Sequence, residues 1–162
     1  MTPNTSLKRR AINVFVHDRP GVLNKISMLI RHKMYNVETL TACTTRQPGY
    51  SRITMTLYED SDDRTRQVIR QLEKMTEVIS GRELNADDSF WREVALVKFE
   101  ANPSQFEKLS SDYNFEVLDR QNHEVYIVQL AAISKKIDDF LLDLGEDHII
   151  DVARSGFTAL EK

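Results

Sequence analysis

The run Ile12-Asn13-Val14-Phe15-Val16-His17-Asp18-Arg19-Pro20-Gly21-Val22-Leu23-Asn24-Lys25-Ile26 contains a change of hydrophobic period, and that change decides the fold. Ile12 to Val16 alternates like a strand with one buried face. Val22, Leu23, Ile26, Leu29 and Ile30 recur instead at the spacing of a buried helix stripe. The turn between them falls at 17–21. Asp18 is placed to cap the helix, Pro20 suits its first turn because its φ is fixed and it needs no amide hydrogen, and Gly21 lets another group approach the backbone closely. Amides at such a helix start point outward in a positive field, which makes a seat for a small anion worth typically about 0.3 to 1 kcal/mol. The same residues also read as a plain capped helix start, since Pro-Gly after an aspartate is common turn chemistry.

Working outward, Val37 to Thr45 and Arg52 to Tyr58 are strand-like runs joined by 46–51, with Pro48-Gly49 placed as in a type II turn. Asp62 and Asp63 open a helix whose Val68, Ile69, Leu72 and Met75 line one face, and Val78 to Leu84 follows as a fourth strand. The order is βαββαβ. The polar stretch 85–89 has no apolar anchor and is expected to be a linker. Beyond it the pattern starts again. Glu93 to Glu100 alternates, with Val94, Leu96 (neighbouring Val97) and Phe99 apolar, and Pro103 starts a helix carrying Phe106 and Leu109. Phe115 to Leu118 and Val125 to Ala131 bracket a turn at 120–124. Ser134 is placed to cap a helix with Ile137, Phe140, Leu141 and Leu144, and Ile149 to Ala153 closes as a strand. The expectation is an α+β protein of two tandem ferredoxin-like βαββαβ domains, residues 8–84 and 90–162, each an antiparallel sheet with helices on one face. Each core alone is small, so pairing of edge strands or helix faces with another copy is expected.

Composition narrows the function by exclusion. Of the 162 residues 41% are hydrophobic and 29% charged, and a net charge of −3 argues against a protein that works by neutralising nucleic-acid phosphates. Cys43 is the sole cysteine, the segment before Ala11 is polar and basic without a signal-like apolar run, and nothing approaches the roughly 18 apolar residues of a membrane span. A cytoplasmic protein without membrane or nucleic-acid partners is the expectation. His17, His32, His123 and His148 are scattered, which argues against a metal site. The pairs Asp62-Asp63, Asp87-Asp88 and Asp138-Asp139 read as solvated caps rather than catalytic dyads, because adjacent helical side chains diverge by about 100°. No Gly-rich phosphate loop, nucleophile elbow or Cys-His constellation occurs, so no catalytic residues are expected. Lys8-Arg9-Arg10 and the series Arg64, Arg66, Arg70 and Lys74 read as solvated faces, and Phe90 and Trp91 as aromatics sealing a domain junction.

Several motifs carry a resemblance. Arg19-Pro20-Gly21-Val22-Leu23, Tyr35-Asn36-Val37-Glu38-Thr39-Leu40-Thr41 and Ser51-Arg52-Ile53-Thr54 make the first half similar to an ACT domain, a small-molecule-sensing βαββαβ module. Arg92-Glu93, Leu96-Val97-Lys98, Tyr126-Ile127-Val128-Gln129-Leu130 and Val152-Ala153-Arg154-Ser155-Gly156 extend the likeness, so that the entire chain resembles the small regulatory subunits of acetolactate synthase (acetohydroxyacid synthase). The resemblance implies a non-catalytic subunit in branched-chain amino-acid biosynthesis. Such a subunit activates a catalytic partner that carries thiamine diphosphate, magnesium and FAD, and confers feedback inhibition by valine or a related product. It further implies dimerisation through the ACT domains. The amino acid would lie between two of them, near Asp18, Pro20, Gly21, Val22 and Leu23 of one copy and Asn36 and Val37 of the other. Three departures stand out: Asp18 occupies a position where the family usually has asparagine, Met34 one where a glycine is common, and Ala132-Ile133 replaces the family's usual glycine-containing turn after the seventh strand. A free-standing ACT-type sensor that regulates another enzyme or transcription is the alternative the same motifs allow.

Overall fold

A computed structural model describes residues 8–59, 61–85, 88–122 and 124–162. The chain divides into two compact units, one running to Phe90 and including Phe157–Lys162, the other Trp91–Gly156. Each unit has a four-stranded sheet, and both boundaries between the units fall within a strand.

In the first unit the elements are β1 (Lys8–His17), α1 (Val22–His32), β2 (Val37–Thr44), β3 (Tyr50–Glu59), α2 (Asp62–Glu73) and β4 (Val78–Leu84), with strand order β2-β3-β1-β4. All pairings are antiparallel. Ile12, Val14 and Val16 of the middle strand are fully buried with Ile53, Met55 and Leu57 of β3, beneath Val22 and Ile26 of α1 and Val68 and Leu72 of α2. The β2–β3 turn has Gly49 at φ +83, the left-handed value that the third residue of a type II turn requires. Ser61 caps α2 by accepting from the Arg64 amide, and Asp62 and Asp63 fill its first turn.

The opposite face of this sheet is not left open. Ala11, Thr56 and Leu84 are cross-strand neighbours on it and all are buried, as is Thr54. Phe157 and Ala159, from the end of the chain, are buried in the same unit. The Arg9 guanidinium lies 4.4 Å from the Phe157 ring centroid, and Arg52 reaches the Ala159 carbonyl. Arg9 also pairs with Glu38, and Arg10 with Glu83 and Asp62. The expectation that this basic run is simply solvated is therefore corrected: its carboxylate partners sit across the sheet and at the start of α2, at positions that sequence spacing does not relate to it.

The second unit repeats the order with β5 (Ser89–Glu100), α3 (Pro103–Asp112), β6 (Glu116–Gln121), β7 (Val125–Ala132), α4 (Ser134–Leu144), a single 3₁₀ turn at Glu146–His148 and β8 (Ile149–Glu161), in the order β6-β7-β5-β8. The tandem ferredoxin-like arrangement read from the sequence is the fold observed. Three local readings are corrected. The buried phase of β5 is Ala95, Val97 and Phe99, with Leu96 exposed, because small Ala95 and charged Glu93 disguise the apolar alternation. β8 runs on to Glu161 rather than ending at Ala153. Ser134 does not cap α4: it is the first helical residue, and its hydroxyl donates instead to the buried Glu93 carboxylate at 2.6 Å. His123 of the expected turn, and Asp87 of the expected acidic pairs, lie outside the described residues.

Glu93 is the electrostatic centre of this unit. Both of its oxygens accept from Arg154 at 2.8 Å, and Arg154 extends a third bond to Asp138 on α4, so one guanidinium ties β5, β8 and α4 together. The hydrogen bonds to Glu93 hold the Arg154 proton more firmly than usual. Beside Arg154, the Ser155 hydroxyl accepts from the Val94 amide. Stranding a buried carboxylate costs about 3 to 5 kcal/mol, and the lower end applies because Arg154 is partly solvated. Arg154→Ala should therefore lower the stability of this unit by about 3 kcal/mol, read as a shifted urea midpoint at unchanged m-value, while the pair change Glu93→Leu with Arg154→Met should restore much of the loss. On the far side of α4, the Asp143 carboxylate accepts from the Tyr113 hydroxyl, and this bond, with burial and the neighbouring acids, pushes Tyr113 up to about 12. The folded state thus keeps a proton that the unfolded chain loses near its ordinary value of 10.0. Stability contributed here is complete below that value and is lost as pH rises towards 12. Tyrosine absorbance should show a phenol that titrates near 12 and is lost in Tyr113→Phe, beside Tyr35, which burial also pushes up.

Candidate functional site

The β1–α1 turn is built by backbone geometry rather than by side chains. The His17 amide donates to the Glu77 carbonyl at 2.9 Å and the Asp18 amide to the Gly49 carbonyl at 2.8 Å, so three connections gather at one end of the first sheet. Gly21, at φ +87, then occupies the position before the helix, and the first helical bond runs from the Lys25 amide to the Gly21 carbonyl at 3.0 Å. Only glycine takes that left-handed value without strain. Asp18 is consequently three residues outside the capping position, and no side chain caps α1. The capping role expected of Asp18 is corrected on this ground: the helix starts one residue after the glycine, not near the aspartate. The Leu23 and Asn24 amides, in the first turn, thus have no capping side chain and no acidic neighbour within that turn. A Cβ built on Gly21 would meet nothing within 4 Å, so the space beside this helix start is open.

A charge pair lies beside the opening, and an aromatic stack occupies the other face of the sheet at the same end. The Lys25 ammonium pairs with Glu77, and this hydrogen bond, with Arg19 also contributing its field, holds the Glu77 carboxyl below the usual range. Tyr50, at the start of β3, stacks on Phe15 at 5.2 Å and meets the His17 ring at 5.3 Å. Val22 is buried, whereas Leu23 is 43% exposed and offers an apolar wall next to the amides. Lys25, Glu77 and Tyr50 escaped the sequence reading. Lys25 alone left a signal there, its spacing of four from Gly21.

Asn36 and Val37 lie elsewhere in this chain. Eleven residues of α1, about 16 Å at 1.5 Å per residue, separate the glycine turn from the helix end that leads to them. A single copy therefore brings Asp18, Pro20, Gly21, Val22 and Leu23 together and leaves Asn36 and Val37 at the opposite end. Val37 pairs with Leu57 and packs against the core, and Asn36 is exposed. Between them and α1 the chain closes a Schellman motif: the Tyr35 amide donates to the Ile30 carbonyl and the Met34 amide to the Arg31 carbonyl, both at 3.1 Å. Met34 sits at the left-handed position of that motif, φ +59. Among the described residues, no group of three or more His, Cys, Asp or Glu side chains is placed to hold a metal ion, and no helix is long and apolar enough to cross a membrane.

Two tandem βαββαβ units, the first with a glycine-started helix at its β1–α1 turn, define a protein of the ACT-containing class. Residues 12–80 match the family of acetohydroxyacid synthase small subunit-like ACT domains, and residues 92–162 match the small subunit of acetolactate synthase. The isozyme 3 small subunit of acetolactate synthase from Salmonella typhimurium is 34% identical over 160 residues, covering 95% of this chain and 96% of that one. The Bacillus subtilis small subunit is 29% identical, with 95% and 91% covered. The crystal structure of the Thermotoga maritima small subunit shares the fold, with a TM-score of 0.85 at 22% identity over 96% of this chain and 98% of that one. This chain belongs to the acetolactate synthase small subunits.

Met34 now has a physical reading. A non-glycine residue in the left-handed region costs roughly 1 to 2 kcal/mol, and Met34 is 88% exposed, so little burial repays it. Met34→Gly should raise the stability of the first unit by about 1 kcal/mol, measured as a higher urea midpoint.

Proposed function

We propose that this chain is a non-catalytic regulatory subunit that activates a thiamine-diphosphate-dependent acetolactate synthase and makes it sensitive to valine. Membership of the small-subunit family implies a catalytic large-subunit partner, and it is there that thiamine diphosphate, magnesium and FAD would reside. The sensing domain in this reading is the first unit, built on residues 8–84 and completed by Phe157–Lys162, and the carboxyl-terminal domain is Trp91–Gly156. The pair works in the cytoplasm.

The observation that carries the sensing role is the helix start at Gly21, with open space beside it and uncapped first-turn amides. The effector carboxylate lies against the Leu23 and Asn24 amides, and Val22 and Leu23 bound its aliphatic side chain. Asp18 faces the ammonium. Asn36 and Val37 stand about a helix length away in the same copy. They complete the site only from a second copy, so effector binding requires homodimerisation through the ACT domains. A ligand that prefers one placement of the two copies shifts the whole assembly, with coupling typically about 1 to 3 kcal/mol.

The primary test is acetolactate formation by the catalytic subunit from the same source, with and without this chain, under a valine titration. The expected outcome is a higher rate with the chain and a progressive loss of that gain with valine; an unchanged rate would refute the activating role. For the site itself, Gly21→Asn and Gly21→Asp make a matched pair, because both bear a similar left-handed backbone strain and only one adds an anion. Gly21→Asp should raise the half-inhibitory valine concentration by about tenfold or more, equivalent to about 1.4 kcal/mol, and Gly21→Asn by distinctly less. Asn36→Ala should weaken inhibition while leaving activation in place.

A further inference from the structure

We infer that Glu77 sets the charge preference of the helix-start seat, so that the seat takes an amino acid and turns away the 2-oxo acid of the same carbon skeleton. This role rests on the effector reading of that seat and names the residue that enforces its choice of ligand. Glu77 ends the connection 74–77 between α2 and β4. Its backbone is pinned there, because its carbonyl accepts from the His17 amide at 2.9 Å, at the end of β1 from which the glycine turn departs. Its carboxylate accepts from the Lys25 ammonium, and the Lys25 amide closes the first helical bond of α1 onto the Gly21 carbonyl. The Glu77 side chain is 16% exposed, against 57% for Lys25. The anion is thus the held partner and the cation the movable one, since a lysine ammonium rides on a flexible four-carbon stem.

The balance of charge around the seat gives Glu77 its role. The uncapped amides of α1 already present a partial positive field. Lys25 is the fourth residue of the helix, and helical side chains lean towards the amino-terminal end, so a free ammonium there would reach back over those amides. Arg19, in the turn itself, is a second cation, and its field reaches the Glu77 carboxylate. Left unopposed, the two cations would draw in any carboxylate, with or without an ammonium beside it. Glu77 neutralises Lys25 by direct pairing and weakens the field of Arg19, and Asp18 brings a further negative charge to the same turn. The four side chains are then balanced. A zwitterion enters such a seat without changing its net charge: the carboxylate meets the amides and the ammonium meets Asp18. A 2-oxo acid brings an anion with no cation to offset Asp18 and Glu77. The hydrogen bond from Lys25 holds the Glu77 carboxyl below the usual range, so this charge is in place at neutral pH.

The test is calorimetric titration of the intact chain with L-valine and, by competition, with 3-methyl-2-oxobutanoate, the 2-oxo acid of the same skeleton. Two single changes break the one ion pair from opposite ends. Glu77→Gln keeps the side-chain shape and the backbone bond to His17; it should tighten the 2-oxo acid by about three- to fivefold and valine by less, so that the preference for valine narrows. Lys25→Met leaves the carboxylate without its cation and should weaken the 2-oxo acid by a similar factor and valine by less, so that the preference widens. A pair that only braced the turn would shift the preference in the same direction in both variants, or in neither. Either of those results, or no measurable 2-oxo acid binding to Glu77→Gln, in a chain whose wild type binds valine, would overturn the assignment of Glu77 alone. A wild-type chain that binds no valine would instead overturn the effector reading, and the role of Glu77 with it.

Discussion

Each unit depends on a strand that is hydrogen-bonded along both edges and apolar on the face beneath two helices. In the first unit that strand is β1, flanked by β3 and β4, with Ile12, Val14 and Val16 sealed under α1 and α2. A strand paired on both sides cannot slip by one residue without turning its whole apolar set outward, so register is fixed and with it the point where the chain leaves the sheet. The glycine turn at its end, and the uncapped helix start that follows, inherit their position from that constraint.

The second unit meets the same constraint with a charged residue inside it. Glu93 takes a buried place in the alternation of β5, and its carboxylate is acceptable there because Arg154 and Ser134 supply donors from β8 and α4. The ion pair is not in itself a source of net stability, since a well-packed apolar substitute would hold such a position comparably well. What it adds is a requirement that three elements arrive together.

Most of the fold was legible because both periodicities were clean. The 3.6-residue stripe of α1 and the Pro48-Gly49 turn left little room for another architecture, and the repetition of one element order across the chain made the tandem arrangement plain. Legibility failed where a residue's chemistry contradicted its place. Glu93 and Ala95 hid the buried phase of β5, Ser134 looked like a cap and serves a carboxylate, and Asp18 looked like a cap although Gly21 takes that position. For the candidate site, the glycine turn could be found locally, but Lys25 with Glu77, and the stacked Phe15 with Tyr50 on the other face of the sheet, come together only through sheet topology, which no spacing along the chain encodes.

The end of β8 carries a consequence for how the chain is made. Phe157 and Ala159 help to cover the first sheet, so the face of the unit built first is completed by residues that follow the whole of Trp91–Gly156. Domains generally fold as units in the order in which they leave the ribosome. Here the first unit emerges with Ala11, Thr56 and Leu84 still lacking that cover and must wait for the second to be synthesised. Until then that face lacks Phe157 and Ala159, so the unit that begins first in sequence is the last to be completed.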